Sequence, residues 1–223
     1  MSSADITCNL LHLSQAFDYS IKLFCKRSTV RSSVSYSLAS AKVANVENLV
    51  LTGATNIDAT GDNFDNRITG NSGNNILSGR RGNDTLTGGG GNDGFLFDQL
   101  LSVAGLDSIT DFVVGNDKIL LNTDVFQALE TGGGYVPGKL FPPTPLLATD
   151  FSVISVVGAA EQVAAATSSN EIVYNRVTGN LFYNANNNAA GFGTGGGRFA
   201  TIVGSPDNLS NTNFLLVPSP PFT

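Results

Sequence analysis

Two acidic residues, Asp84 and Asp93, lie nine positions apart in a glycine-rich run and are the side chains best suited to chemistry. Asn75 and Asn66 occupy the places nine and eighteen positions before Asp84. Carboxylate and amide oxygens are hard ligands, which suit Ca²⁺ better than a soft transition metal. The spacing therefore predicts a cation site that is built from repeated turns.

These residues belong to four successive nonapeptides that begin at Gly61, Gly70, Gly79 and Gly88. Position eight of each nonapeptide is large and apolar, and Leu51 and Ala59 are predicted to extend this apolar column upstream. The pattern fits the template G-G-x-G-x-D-x-U-x of a parallel β-helix that binds Ca²⁺. Each nonapeptide is predicted to form a six-residue turn and a three-residue strand, with glycines where the backbone turns sharply or passes close to its neighbours. The apolar residues at position eight are Ile68, Leu77, Leu86 and Phe95.

Two nonapeptides make one coil, so nonapeptides two apart are predicted to stack about 4.8 Å from each other. This stacking pairs Asn66 with Asp84 and Asn75 with Asp93. The carbonyl groups of the turns are expected to point into the same gaps as these side chains. The predicted Ca²⁺ ligands are Asn66, Gly79, Arg81 and Asp84 in one site, and Asn75, Gly88, Gly90 and Asp93 in the other.

The nonapeptides resemble the RTX (hemolysin-type) calcium-binding repeats of secreted bacterial proteins. Residues 107–112 and 115–119 resemble the exit from the roll in serralysin-type C-terminal regions, and residues 172–202 are similar to the strands that follow. The resemblance implies Ca²⁺ as the cofactor, an extracellular location and the type I secretion machinery as a partner. It also implies that the chain stays unfolded in a cytoplasm poor in calcium and folds after export.

Two departures from the family pattern bear on affinity. Asn66 and Asn75 stand where the family favours aspartate, so each facing pair has one carboxylate. Because Ca²⁺ affinity follows the number of charged ligands, we expect weaker sites and folding that depends less on calcium. Arg80 and Arg81 lie in the third turn, where their guanidinium groups would repel the ion unless they point into solvent.

Four further acidic residues are candidates for a terminal cation, and each is explained equally well as a turn or capping residue. They are Asp98, Asp107, Asp111 and Asp117. Residues 184–188 stand where the family usually has an acidic loop. Since this stretch has no carboxylate, we interpret it as a polar turn.

The motifs of common enzymes are missing, and we expect no catalytic activity in these residues. His12 is the only histidine, which excludes the H-E-x-x-H motif of a zinc protease. Residues 70–74 approach a nucleophile elbow but end in asparagine. The glycines at 89, 91 and 94 precede a strand-like segment, whereas a dinucleotide fingerprint opens a helix. A pair of Cys8 or Cys25 with His12 remains possible on sequence alone.

The charge distribution favours cations as partners and argues against nucleic acid. The net charge is −6 overall, and because residues 1–45 carry +3, the remainder carries −9. No apolar run reaches the length of a membrane span, and no Sec-type signal is visible at the N-terminus. Cys8 and Cys25 could form a disulfide or remain as thiols, so the main body is not a disulfide scaffold.

We predict an all-β protein with a short right-handed parallel β-roll at 46–97, capped by a mostly antiparallel β region. Residues 213–217 resemble the apolar end of type I secretion substrates, and a closing strand explains them equally well. The domains are an unassigned segment at 1–30, lead-in strands and the roll at 31–97, a capping and secretion region at 98–217, and a flexible tail at 218–223.

The function predicted from these features is that of a non-catalytic calcium-binding module of a secreted bacterial protein. Two alternatives remain open on sequence alone. The chain could be the C-terminal piece of a larger secreted enzyme or adhesin, or it could bind carbohydrate or another surface through the face of the roll.

Overall fold

The structure is a computed structural model that describes residues 4–7, 28–40, 46–127, 129, 144–186, 191–193 and 195–218. Most of the segment predicted at 1–30 lies outside the described residues, together with Cys8, His12 and Cys25. The tail from 219 and residues 187 and 188 of the asparagine-rich loop also lie outside them.

The described residues are mostly strands with few helices, which agrees with the predicted all-β class. The strands up to the end of the nonapeptides are β1 (Ala4–Thr7), β2 (Ser28–Ser32), β3 (Tyr36–Ser37), β4 (Val46–Leu51), β5 (Ala59–Thr60), β6 (Arg67–Thr69), β7 (Ile76–Ser78), β8 (Thr85–Thr87) and β9 (Gly94–Phe97). The later strands are β10 (Asp107–Ile109), β11 (Lys118–Asn122), β12 (Thr144–Pro145), β13 (Phe151–Ile154), β14 (Ile172–Asn175), β15 (Asn180–Tyr183), β16 (Gly197–Ile202) and β17 (Phe214–Val217).

Helical structure in the described part of the chain is limited to short elements. The α-helices are α1 (Leu101–Ala104) and α2 (Ala159–Ala166), and single 3₁₀ turns occur at Leu38–Ser40, Ala148–Asp150 and Asn211–Asn213. Within the described ranges, no helix has the length and apolar character needed to cross a membrane.

Consecutive strands from β2 to β11 alternate between two sheets, and each strand from β2 to β9 pairs in parallel with the strand two further along the chain. One sheet has the order β1-β2-β4-β6-β8-β10-β16-β15-β14-β13, and the other has the order β12-β17-β11-β9-β7-β5-β3. The alternation follows from the nonapeptide itself, because a six-residue turn after every three-residue strand sends the chain from one sheet to the other.

Position eight of each nonapeptide points between the two sheets and forms the core. In the first sheet, Ile68 pairs with Leu86, and Leu86 pairs with Ile109. In the second sheet, Leu77 pairs with Phe95, and Phe95 pairs with Ile119. All of these side chains are fully buried.

The apolar column continues upstream into β4. Leu51 is buried in the core, and the residue that pairs with Ile68 is Leu49, two positions earlier. The coil between Leu49 and Ile68 is one residue longer than the regular eighteen, so the repeat period does not by itself identify Leu49. Ala59 pairs with Leu77, as predicted.

The region after residue 97 continues both sheets without a break. Strands β10 and β11 add one more parallel layer on β8 and β9, and β16 and β17 then pair in parallel with β10 and β11. Antiparallel pairing joins β12 to β17, β14 to β15, and β15 to β16, whereas β13 and β14 are parallel. The described part of this region is therefore mixed, and the prediction of a mostly antiparallel cap is corrected.

An aromatic cluster fills the space between the sheets in this C-terminal region. Phe126 packs edge-on against Tyr183 and Phe199, with ring centroids 4.9 and 5.4 Å away, and Phe97 packs against Phe199 at 5.0 Å. Phe97 ends the last nonapeptide strand, so this cluster joins the core of the repeats to that of the later strands. Four nonapeptides form too few coils to be stable alone, and this shared core completes them.

The central position of Leu86 gives a test of this core. We expect Leu86→Ala to lower the free energy of unfolding by about 2–5 kcal/mol, because it leaves a cavity between Ile68 and Ile109. Leu100→Ala is the matched control, since Leu100 is 61% exposed and its truncation should cost about 0.5 kcal/mol or less. Urea denaturation followed by circular dichroism measures both, and equal losses would contradict the assigned register.

Candidate metal centre

The glycine at position one of each nonapeptide lies in a crowded cradle of oxygens. A Cβ atom on Gly61 or Gly70 would lie within 3.0 Å of the carbonyl oxygen of the position-one glycine two nonapeptides later. The same atom would meet the amide oxygen of the asparagine at position six of its own nonapeptide. At Gly79 and Gly88 it would meet the carboxylate of Asp84 or Asp93. Glycine is required here because these oxygens converge where a side chain would begin.

The residues at position six form two buried columns, which we name the first ladder and the second ladder. In each ladder the backbone N–H of one residue donates to the carboxylate oxygen Oδ1 of the next. The first ladder is Asn66, Asp84 and Asp107, with N···O distances of 2.7 and 3.0 Å. The second ladder is Asn75, Asp93 and Asp117, with distances of 2.8 and 3.0 Å.

The structure thus brings Asn66 against Asp84 and Asn75 against Asp93, the pairs that the sequence predicted. It also adds Asp107 and Asp117, which were predicted only as candidates with an equally good capping role. Their distances of 23 and 24 residues from Asp84 and Asp93 break the eighteen-residue period of the coils. A signal was nevertheless present, because both keep the order of aspartate, any residue and a buried apolar residue that Asp84 and Asp93 show.

The two asparagines satisfy their hydrogen bonds within the protein. Asn75 Oδ1 accepts the N–H of Asn71 at 2.8 Å, and Asn75 Nδ2 donates to the carbonyl of Ile57 at 2.6 Å. Asn66 Oδ1 likewise accepts the N–H of Asp62 at 2.8 Å, and its Nδ2 lies 3.4 Å from the carbonyl oxygen of Val46. An amide can therefore hold this position in the turn without an ion.

The aspartates of both ladders differ from the asparagines because they can carry a negative charge, and their pKa values are raised. Burial raises the pKa of Asp93 to about 6, although the hydrogen bond from Asn75 opposes the shift. Burial also raises the pKa of Asp84, and burial followed by the negative charge of Asp84 raises the pKa of Asp107. The nearby charges that add to these shifts are acidic, and for Asp84 they include Asp65. When Asp84, Asp93 and Asp107 are ionised, they therefore lack a compensating positive charge, which a bound cation would supply.

Of the remaining predicted ligands, Gly79 and Gly88 are buried, whereas the other two lie at the exposed tips of the turns. Gly90 and Arg81 are exposed, and their N–H groups donate to the carbonyls of Asn71 at 2.9 Å and Asp62 at 3.3 Å. The Arg81 side chain thus faces solvent. Arg80 adopts a φ of 71°, a left-handed conformation in which glycine is the usual residue. The contribution of Gly79, Gly88, Gly90 and Arg81 to an ion through their carbonyls stays a prediction.

Two of the other acidic candidates have roles within the protein. Asp111 accepts the N–H groups of Gly88 and Gly89, both at 2.8 Å, and so caps the fourth turn. Asp98 accepts the hydroxyl of Ser78 at 3.3 Å. In the described part of the asparagine-rich loop, Asn184 is buried and its Nδ2 donates to the carbonyl of Ser168 at 2.9 Å.

The donor set fits a hard cation. The ladders and the glycine cradles offer only oxygens, and the Oδ2 atom of Asp84 is buried without a hydrogen-bond partner. Among the described residues, no three His, Cys, Asp or Glu side chains form a cluster with metal-binding geometry. A Ca²⁺ ion would therefore be held by carboxylates from stacked turns together with backbone carbonyls.

Comparison with known proteins supports the interpretation of the repeat. Residues 60–95 match the family described as the RTX calcium-binding nonapeptide repeat, in four copies. The match confirms the resemblance that the sequence suggested for these residues, and repeats of this type imply calcium binding. Asp107 and Asp117 lie beyond the matched residues. No curated protein matches the chain.

The oxygen cradle predicts that substitution by alanine destabilises the fold at Gly70 and has little effect on stability at Gly90. Gly70→Ala should lower the free energy of unfolding by about 1–3 kcal/mol, because its Cβ would collide with the backbone carbonyl of Gly88. Gly90→Ala is the matched control, since its Cβ would lie 3.7 Å from Ser72, an ordinary contact. Thermal melts in calcium and in chelator compare the two, and equal stability of both variants would argue against the cradle.

The raised pKa values predict that the calcium-free protein loses stability as the pH rises. In the unfolded chain these carboxyl groups ionise near pH 4, whereas Asp93 in the folded chain ionises near pH 6. The folded chain therefore holds more protons in this window, and its stability should fall by about 1.4 kcal/mol per pH unit for each such group. The fall should continue above pH 6 for Asp84 and Asp107.

Urea denaturation between pH 4 and 8 in calcium-free buffer measures this dependence. Asp93→Asn serves as the control, because it removes one titrating group and should flatten the profile between pH 4 and 6. A wild-type stability that rises steadily over this range would show that the ladders do not carry buried, uncompensated carboxylates.

Proposed function

We propose that this RTX-repeat protein is a non-catalytic calcium-binding module in which Ca²⁺ stabilises a right-handed parallel β-roll. The observation that carries the proposal is the pair of ladders, in which each buried aspartate of the matched repeats faces an asparagine in the coil before it and a second buried aspartate in the coil after it. The alternation of strands between two parallel sheets supports the roll.

The mechanism is the coupling of ion binding to folding. Without a cation, the aspartates of the ladders must either carry protons or repel one another in a buried setting. A Ca²⁺ ion between turns favours the ionised form and holds the turns together. Because the stacked turns exist only in the folded chain, the free energy of binding adds to the free energy of folding.

We further propose that the protein is exported by bacteria and folds outside the cell. The family resemblance of the repeats, and that of residues 213–217 to the apolar end of type I secretion substrates, support this proposal. In a cytoplasm poor in calcium the acidic turns would be weakened, which keeps the chain suitable for export. The asparagines of the first coil satisfy their own hydrogen bonds, so we expect this dependence on calcium to be partial.

Asp93→Asn separates a role in ion binding from a purely structural role. In chelator the variant should be at least as stable as the wild type, because it removes a buried carboxylate with a raised pKa. With Ca²⁺ it should gain less stability than the wild type, and its affinity should fall by at least about tenfold in one binding step. Asp207→Asn is the control, since it makes the same charge change at an exposed position.

Calorimetric Ca²⁺ titration and thermal melts followed by far-UV circular dichroism measure these effects. A wild-type chain that binds no Ca²⁺, or whose melting temperature is the same in calcium and chelator, would refute the proposed function. A chain that is a random coil in chelator and fully β with calcium would contradict the expected partial dependence.

A further inference from the structure

The ten-stranded sheet ends at β13 (Phe151–Ile154), and within the described residues no strand pairs with its outer edge. A strand at the end of a sheet presents N–H and C=O groups that can pair with a strand of another molecule. Natural proteins protect such edges with charged residues, with proline or by keeping the strand very short. The four sheet edges of this protein can therefore be compared for this protection.

Three of the four edges formed by the described strands are protected. At the other end of the ten-stranded sheet, β1 contains the charged residue Asp5. In the second sheet, β12 is two residues long and includes Pro145, and β3 at the opposite edge is also two residues long.

The edge at β13 has none of these features. Residues 151–157 read FSVISVV and contain no charged residue, proline or glycine. Four of these seven residues are valine or isoleucine, which are frequent in strands. An uncharged segment of this composition readily adds to another strand when its edge is exposed.

The backbone of β13 directs hydrogen-bonding groups out of this edge. β13 pairs in parallel with β14, with Ile154 beside Asn175, and the carbonyl of Ile154 accepts the N–H of Arg176 at 3.2 Å. In a parallel ladder, a residue whose N–H and C=O face the neighbouring strand alternates with one whose groups face away. Because Ile154 faces β14, Val153 directs both its N–H and its C=O away from the sheet. The side chain of Val153 is also 44% exposed.

We propose that a second copy of this chain pairs with β13 in antiparallel orientation, so that the two ten-stranded sheets join across a two-fold axis. The axis passes between the two Val153 residues, which exchange both of their N–H···O bonds. Phe151 then lies opposite Ser155 of the second copy. Phe151 packs on the core, whereas Ile154 packs on the α2 side of the sheet. An axis between two residues of the strand would set core-facing side chains opposite α2-facing ones, which excludes that register.

The distribution of charge favours a second copy as the partner. In a two-fold antiparallel pair the strand faces itself, so a charged residue near the axis would lie close to a like charge. Residues 151–160 contain no charged residue, although the net charge of the chain is −6. Two copies can therefore meet at this edge without bringing like charges together at the axis.

Helix α2, which follows β13, also presents no charge to the second copy. Ala165 of α2 packs in one apolar cluster with Val173 of β14. The one ionisable residue of α2, Glu161, is buried and accepts hydrogen bonds from Nδ2 of Asn175 and Asn180 at 2.8 and 2.9 Å. A two-fold axis that relates antiparallel strands is perpendicular to the sheet, so both copies of α2 lie on the same side of the joined sheet.

Val153→Lys tests this pairing in the full chain with calcium present, because it sets two like charges opposite each other at the axis. Analytical ultracentrifugation over a range of protein concentrations should show a dimer for the wild type. The dissociation constant of the dimer should rise at least about tenfold in Val153→Lys. Val203→Lys is the matched control, since Val203 is 54% exposed and follows β16, which has a paired strand on each side. It should leave the dimer unchanged.

Hydrogen exchange of the wild-type chain, followed by nuclear magnetic resonance, keeps the test valid if Val153→Lys does not fold. The N–H of Val153 should be protected at concentrations where the dimer forms and should exchange rapidly after dilution, because the second copy accepts it. The N–H of Ile154 faces β14 and should stay protected at both concentrations, which makes it the internal control.

Each of three results would overturn the inference. The first is a wild-type chain that is monomeric at every concentration. The second is a Val153 N–H whose protection does not change with concentration, which would mean that another segment of the same chain covers the edge. The third is a folded Val153→Lys variant that forms the dimer as tightly as the wild type, which would place the interface elsewhere.

Discussion

Direct stacking of one turn on the next places every residue at position six above its equivalent in the previous coil, away from water. The parallel pairing of β6 with β8 and of β7 with β9 enforces this alignment. Most other features of the repeats follow from it. The apolar residues align between the sheets, the position-one glycines make room for converging oxygens, and acidic side chains come close to one another at a low dielectric.

Whether a ladder residue is asparagine or aspartate decides whether its buried side chain finds all its hydrogen-bond partners within the protein. Each such residue forms one rung of its ladder. Asn75 donates from Nδ2 to the carbonyl of Ile57 and accepts at Oδ1 from Asn71, so its rung needs no further partner. Asp84 occupies the equivalent place with an oxygen that has no donor. Ion dependence should therefore increase along the chain, from the asparagine rungs to the aspartate rungs.

The strands after residue 97 complete a structure that the nonapeptides begin. Asp107 and Asp117 provide the last rungs of the ladders, while Ile109 and Ile119 provide the next layer of the core. The aromatic cluster around Phe126 then closes the space between the sheets. The nine-residue repeat of the sequence ends near residue 97. In the structure, however, the parallel stacking of strands continues past this residue without a break.

The sequence by itself determined the period, the two facing pairs and the oxygen chemistry, because a nine-residue repeat leaves only one way to stack nonapeptides two apart. Prediction was less successful where the period changes. Leu49 was not identified as the partner of Ile68 because one coil has an extra residue, and Asp107 and Asp117 were left undecided because their spacings are irregular. The tertiary structure decided which oxygens lack a donor, since hydrogen bonds such as that from Val113 to Asp117 depend on loop paths. It also decided the mixed pairing of the C-terminal strands, because long-range strand partners are set by packing on the last coil, which local sequence patterns do not encode.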